Sequence, residues 1–497
     1  MNLLPIRIAP GVKGNGTEYQ AKGRYFDANL VRWENGQLMP VGGWQRINRD
    51  DPFAGVCRGL FPWRNNNAQR FLAVGTNTNL YAWSDRGFLY DITPDNLVPG
   101  RVDAIFGLGY GAAAYGLEAW GTPRSGDTKV LDAATWSFDA FGQNLIACFP
   151  TDGRIFQWDL DFDGKAEPIT NAPIENRGVF VSFERHVVAL GAGGNPRRVA
   201  WSSREDPTDW TPTATNTAGD FDLQTVGRLQ QAVKVRGQVL ILTNQDVHTM
   251  TFVGGEFVYG FELVGSACGT GSQNSAVATD DFAVWMCENG FHIWDGTVRS
   301  LPCEVEDYVY SDINLLQFSK VVAGVNQQFN EAWWYYPSAD SMELNRYVAW
   351  NYVENHWTVG RLERTAWAQA GVWPKPILAG LGGALYEHET GFTADGETIG
   401  GLRYVQTGAL EIGAAGERLV VARRLLPDER TQGQTQVSFS LRNTPNGPET
   451  VQGPYQLSDY TDLRWTARQM AIRIEGVEDA NWRVGEMRLD VAAGSGR

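Results

Sequence analysis

The chain has 497 residues, is 43% hydrophobic and 12% aromatic, and carries 19 Trp, 56 Gly and a formal net charge of −15. That length admits two or three domains, or one large β domain with a small companion, and the apolar fraction suffices for a full core. The acidity argues against a protein that grips nucleic-acid phosphates strongly. Cys57, Cys148, Cys268, Cys287 and Cys303 are odd in number, scattered and free of any CxxC, which suits reduced thiols rather than a disulfide framework.

Residues 1–50 read as an extended, glycine-punctuated lead. Pro5, Arg7 and Pro10 fall where the apolar core of a signal peptide would run. No run of about 18 apolar residues exists anywhere for a membrane span. Leu30 to Met39 reads as a hairpin, because Asn35-Gly36 supplies the two positive φ angles of a tight primed turn. The lead holds Arg7, Lys13, Lys22, Arg24, Arg32, Arg46 and Arg49 against Glu18, Asp27, Glu34 and Asp50, a net of +3 that leaves −18 on the remainder. A basic arm on an acidic body implies docking between copies or onto an acidic partner. Arg7, Arg24, Arg32, Trp33 and Trp44 are the docking candidates.

Residues 51–395 carry a repeat. Segments 71–83, 145–158, 187–201, 239–250, 282–294, 333–350 and 377–386 each read as an apolar strand, a polar or glycine turn, and a second apolar strand. Their ends look alike: Leu80-Tyr81-Ala82-Trp83, Ile155-Phe156-Gln157-Trp158, Phe291-His292-Ile293-Trp294, Tyr347-Val348-Ala349-Trp350. One hairpin cannot bury both of its faces, whereas a ring of such sheets can, so the repeat predicts a β-propeller. No long run has helical spacing, and few helices are expected. Irregular spacing implies insertions. The largest spans residues 96–135, where Gly107-Leu108-Gly109-Tyr110-Gly111-Ala112 opens a small-residue run.

Within the repeats, Asp159-Leu160-Asp161-Phe162-Asp163-Gly164 mimics the start of a calcium loop, but Thr170 stands where a bidentate glutamate belongs, and a solvated loop between strands is the competing reading. Trp201 to Trp210 encloses Glu205, Asp206 and Asp209. These are either carboxylates facing a sugar or side chains capping turns. Asp159, Asp161, Asp163, Glu205, Asp206 and Asp209 are the candidate acidic channel or loop residues. Residues 265–272, rich in glycine but without a lysine, read as a flexible loop rather than a phosphate cradle. The five histidines fall in no zinc spacing, and no nucleophile elbow or P-loop occurs. No catalytic residue, metal ligand or cofactor is assigned.

Beyond residue 400 the rhythm changes. Residues 419–426, 437–441, 470–474 and 487–491 read as strands, with Met470, Ile472, Ile474 and Met487, Leu489, Val491 alternating toward one side. A small C-terminal β-sandwich is predicted. The expected architecture is all-β: residues 1–50 a docking segment, 51–395 a propeller with insertions, 396–497 a C-terminal β domain.

Three runs resemble one family. Pro10-Gly11-Val12, Asn15-Gly16-Thr17-Glu18-Tyr19-Gln20-Ala21-Lys22-Gly23-Arg24, Asn29-Leu30-Val31-Arg32-Trp33 and Pro40-Val41-Gly42-Gly43-Trp44 look like the opening of the tail hub or nozzle proteins of short-tailed bacteriophages, the packaged-DNA stabilisation type. Val199-Ala200-Trp201-Ser202 with Asp206-Pro207-Thr208-Asp209-Trp210 resembles an internal signature of that group. Residues 482–491 resemble its closing strand. The resemblance implies a non-enzymatic virion protein, assembled in the host cytoplasm as a hexameric ring of propellers in the phage tail. The ring would sit below the portal and adaptor, carry fibres or a tip protein, retain packaged DNA and conduct it during ejection. An acidic wall suits that task, since a conduit that neutralises few phosphates lets the duplex slide. The competing reading is a propeller that degrades or binds glycans, with Glu205, Asp206 or Asp209 as its acids.

Overall fold

The computed structural model describes residues 3–494 except 19, 22, 107–129, 413–417, 429–432 and 445–446, with Glu256 described by its backbone alone. The small-residue run that begins at Gly107 therefore lies outside the described residues.

Seven four-stranded antiparallel sheets follow one another as the blades of a propeller. In each blade the chain starts at the axis and works outward. The innermost strands are Cys57–Arg64, Ser137–Phe141, Gly178–Val181, Leu229–Val235, Ala276–Ala278, Val322–Asn326 and Ala366–Ala368. Each touches the next, and the last touches the first, so the ring is closed. The fourth strand of the seventh blade comes from elsewhere: Trp44–Arg46 pairs with Ala384–His388 in the register His388 to Trp44. The N-terminal lead thus latches the ring shut.

The seven predicted hairpins are the second and third strands of the seven blades, from Arg70–Thr76 with Leu80–Ser84 to Ile377–Gly380 with Ala384–His388. These strands are apolar on both faces because a blade lies on either side. Ala283–Cys287 and Glu331–Tyr336 are buried at every position. The packing resolves into seven apolar clusters among the described residues, one in each seam between neighbouring blades. The cluster between the fifth and sixth blades continues outward into the second domain.

That domain is a β-sandwich. One sheet runs Leu3–Ile6, Met487–Ala493, Val420–Leu426, Thr461–Ala467; the other runs Ala9–Val12, Arg24–Asn29, Tyr404–Thr407, Gln469–Gly476, Thr435–Arg442, Thr450–Gln456. Strict alternation of buried and open positions along Thr435–Arg442 and Thr461–Ala467 aims one face of each sheet at the other. Met470, Ile472 and Ile474 therefore meet Met487 and Leu489 across a shared core.

Residues 1–50 do not stand apart as a docking arm. They give one strand to the first sheet of the sandwich and two to the second, a hairpin (Val31–Glu34 with Gln37–Pro40) and the closing strand of the ring. Four of their cations, Arg7, Arg24, Arg32 and Arg49, meet acids of the same chain. Arg7 pairs with Glu486 at 3.1 Å, Arg24 donates to Glu304 at 3.0 Å, and Arg49 pairs with Asp395. The charge asymmetry read from the sequence is in large part internal complementarity.

The run 265–272, expected as a flexible loop, is a packed connector between the fourth and fifth blades. Cys268, Thr270 and Ser272 are buried, and Ser272 Oγ donates to Val321 O at 2.6 Å. A Cβ on Gly269 would lie 2.2 Å from the Gln245 nitrogen, so the backbone approaches there only as glycine. The one α-helix among the described residues is Glu306–Tyr310. No helix there is long and apolar enough to cross a membrane. The five cysteines are buried thiols.

Candidate functional site at the capped channel

The inner strands turn their side chains into a narrow axial channel. Phe61, Phe138, Ala232, Ala276, Ala323 and Trp367 line a cavity of about 310 Å³ within it. Its charged pair is Lys234 with Asp139, at 2.6 Å. Asp139 also accepts the Val181 N–H at 2.8 Å, and Lys234 donates to the Val181 carbonyl at 3.0 Å. The channel wall thus mixes apolar side chains with amides such as Gln231 and Asn274, and its one ion pair leaves it neutral and not acidic.

One mouth is open, with a cavity of about 650 Å³ reaching Pro62, Ala278 and Gly371. The other is roofed by the two stems of the insertion between the first and second blades. The stems pair as Ile105 to Leu131 and Phe106 to Val130. Buried charge ties them down. Lys320, with its side chain wholly buried, holds Asp103 at 2.6 Å and Glu343 at 3.2 Å. Arg58, equally buried, grips Glu343 at 2.6 Å and donates to the Val102 carbonyl at 2.9 Å. Gln317 accepts from Ala104 N and donates to Ala104 O, at 2.9 and 2.8 Å.

Under this roof a cavity of about 280 Å³ is lined by Arg101, Asp132, Thr135, Arg177, Arg228, Gln230, Gln273 and Ser319, among others. Asp132 is 2.6 Å from Arg228 and 3.5 Å from Arg177. Burial, with Arg228 beside it, lowers the Arg177 pKa to about 10. Arg177 donates to Leu229 O at 3.2 Å and to Gln230 Oε1 at 3.1 Å. Thr135 Oγ1 donates to Gln273 Oε1, whose amide in turn donates to Arg177 O at 2.6 Å. Such an arrangement has the chemistry to receive an oxyanion, and among the described residues no nucleophile stands beside a base there.

None of these residues was singled out from the sequence. Arg177 and Arg228 each stand directly before the first strand of a blade, and Gln273 and Ser319 stand three places before one. The two offsets differ, so aligning the repeats on their inner strands does not bring the four residues to one position.

The candidates that were singled out lie elsewhere. Asp159, Asp161 and Asp163 are exposed on the loop before the outermost strand of the second blade, where Asp161 N and Asp163 N donate to the preceding aspartates at 3.3 and 3.2 Å. Glu205, Asp206 and Asp209 occupy the corresponding loop of the third blade. Glu205 pairs with Arg185 at 2.6 Å, Asp206 accepts from Thr208 N and Oγ1 at 2.9 and 2.7 Å, and Asp209 accepts from Asn216 at 2.8 Å. These are turn-capping geometries, and none of the six borders the channel.

Arg32, Trp33 and Trp44 are buried within the chain and present no docking surface, contrary to expectation. Arg32 lies 3.0 Å from Glu331 and 2.7 Å from Glu389. Burial would lower its pKa, but the two carboxylates outweigh burial and hold it above its ordinary value. Trp33 stands edge-on to His356, with ring centroids 5.8 Å apart, and Trp44 stacks on His388 at 5.4 Å. Arg7 and Arg24 keep some exposure.

No protein-family model and no curated protein matches the chain. Among solved structures, a streptogramin B lyase is similar at 10% identity and a TM-score of 0.40, over 69% of this chain and 96% of that one. Virginiamycin B lyase from Staphylococcus aureus stands at 10% and 0.40, over 69% and 97%. The Pan2 WD40 domain of Neurospora crassa stands at 9% and 0.40, over 71% and 95%. Likeness this low says nothing of ligand or activity.

Proposed function

We propose that this chain is a structural subunit of a short-tailed phage tail, a nozzle or hub protein that assembles as a ring below portal and adaptor. It would retain packaged DNA and conduct it at ejection. The observation that carries the reading is how the resembling runs sit together. Leu38 and Val484, from opposite ends of the chain, exchange two backbone hydrogen bonds of 3.0 Å. Arg483 clasps Glu34 at 2.6 Å beside them. The opening and closing runs of the resemblance therefore form one interlocked unit, welded to the sixth blade by a common core.

The conduit in this reading runs between copies, since the propeller's own channel is narrow and roofed. The acidic loops on the outer rims of the second and third blades are the surfaces that neighbouring copies would bring to such a lumen. A wall of that sign binds few phosphates, so DNA affinity of the isolated protein should be weak and nearly independent of salt. Ring closure needs a heterologous interface repeated at a fixed rotation.

Sedimentation velocity of the purified protein, alone and mixed with the portal–adaptor complex of its phage, tests the proposal. A shift to a complex holding about six copies per portal ring is expected. A monomer that ignores the complex would refute it, as would tight, steeply salt-sensitive DNA binding.

A further inference from the structure

We propose that the roofed cavity at the channel mouth binds a small phosphate dianion, either free or as the terminal group of a phosphomonoester. The inference is independent of the tail reading. Three guanidiniums, those of Arg101, Arg177 and Arg228, line the cavity against the single carboxylate of Asp132. That carboxylate serves both Arg228 at 2.6 Å and Arg177 at 3.5 Å, and so leaves an excess of positive charge. Crowding like charges into a partly shielded cavity is costly, and a dianion between them removes the cost.

A second, separate observation points the same way. Gln230 is 2% exposed and lines the same cavity. Its carbonyl oxygen is engaged by Arg177 at 3.1 Å, but its Nε2 has no acceptor among the protein atoms. Arg228 Nε is likewise buried without an acceptor. Buried donors are ordinarily satisfied, and phosphate supplies three or four acceptor oxygens, any two of which can pair with the planar fork of a guanidinium. Thr135 and Ser319 add hydroxyls to the wall. A cavity of about 280 Å³ admits a group of a few heavy atoms and excludes a duplex, so the ligand is a small anion and not the DNA backbone.

The test is isothermal titration of the full chain with sodium phosphate and with glycerol 2-phosphate, each against sodium chloride at matched ionic strength. Saturable binding of one anion per chain is expected for phosphate. Binding of the ester as well assigns the terminal group rather than the free ion alone, and either result sustains the proposal. Arg228→Gln should weaken binding about tenfold or more, because a charge-assisted donor pair is lost. Arg101→Gln, at an exposed position, should weaken it a few-fold. Asp132→Asn should tighten it several-fold by removing the competing carboxylate, a gain that partial unfolding would not mimic. Circular dichroism would confirm that each variant is folded. Failure of both anions to bind beyond chloride, or a folded Asp132→Asn that binds no tighter than the parent, overturns the proposal.

Discussion

The third and sixth blades share one plan and differ in the fate of the outermost strand. In the third, Gly219–Asp222 is open to solvent, with Phe221 43% exposed and Asp220 and Asp222 facing Arg198. In the sixth, His356–Arg361 is buried up to its last residue. Ala9–Val12 and Arg24–Asn29 lie across it. The approach is so close that a Cβ on Gly11 would come within 2.7 Å of the His356 Cβ. Trp357 then stands in a continuous aromatic core with Phe291 at 4.9 Å and with Trp334 and Trp350 at 6.1 Å. A four-stranded blade is complete by itself. Whether its outer strand is surface or core is decided by chain brought from far away.

The sharpest way to break the sixth-blade arrangement is at Arg32, which links the N-terminal hairpin to Glu331 of that blade and to Glu389. Arg32→Ala would leave two buried carboxylates without a counter-ion. Its cost should sit at or above the top of the roughly 3–5 kcal/mol seen when one partner of a buried pair is removed. Urea unfolding monitored by tryptophan fluorescence measures it, and a loss below about 1 kcal/mol would refute the account.

Trp357→Ala should cost about 3–5 kcal/mol in the same assay. The outer-strand counterpart Phe221→Ala in the third blade should cost less than about 1 kcal/mol. Equal losses would mean that the two outer strands do not differ as described.

The ring closure beside this junction should respond to acid. Burial, with Arg364 and Arg32 close by, pushes the His388 pKa well below its ordinary value, and the neutral ring accepts the Arg364 Nε–H at 2.8 Å. The unfolded chain therefore binds the proton more readily than the folded one. Stabilisation by neutral His388 is complete above a pH of about 6.5 and falls as pH drops toward the folded-state pKa, by up to about 1.4 kcal/mol per pH unit. His388→Gln keeps an acceptor for Arg364 and should flatten the melting temperature between pH 6.5 and 5. A slope identical to the parent's would place the acid sensitivity elsewhere.

The smallest effect belongs to the rim of the third blade. Arg185 and Glu205 are 43% and 53% exposed, so Glu205→Gln should change stability by less than about 1 kcal/mol, and less still at high salt. A larger loss in differential scanning calorimetry would show that this loop is more than a solvated turn.

The parts of the fold legible in the sequence are those with one environment on both sides. The second and third strands of every blade lie between two neighbouring blades, so they are mostly apolar, and several carry an aromatic at or near the end, as at Trp83, Trp158 and Trp294. Inner and outer strands gave no such signal. Ala366–Ala368 is short and faces the channel, while Glu167–Pro168 is wholly exposed. Thr461–Ala467 was missed for a different reason: of its buried positions only Leu463 and Trp465 are large and apolar, and Thr461 and Ala467 mark an alternating strand weakly. The cationic cavity was invisible because its charges come from three different connections between blades, Arg101 and Asp132 from the first, Arg177 and Arg228 from the next two, and only ring closure brings them to one mouth.

The sequence by itself determined the all-β class, the repeat of seven hairpins and the change of rhythm near residue 400, because burial on a two-residue or fully apolar pattern is a local property of each strand. Only the tertiary structure decided that Trp44–Arg46 closes the ring, that Arg7, Arg24, Arg32 and Arg49 face acids of their own chain, and that the acidic loops lie on the rim and not the axis. Those outcomes depend on which distant segments share an interface, and pairing at long range leaves no periodic mark along the chain.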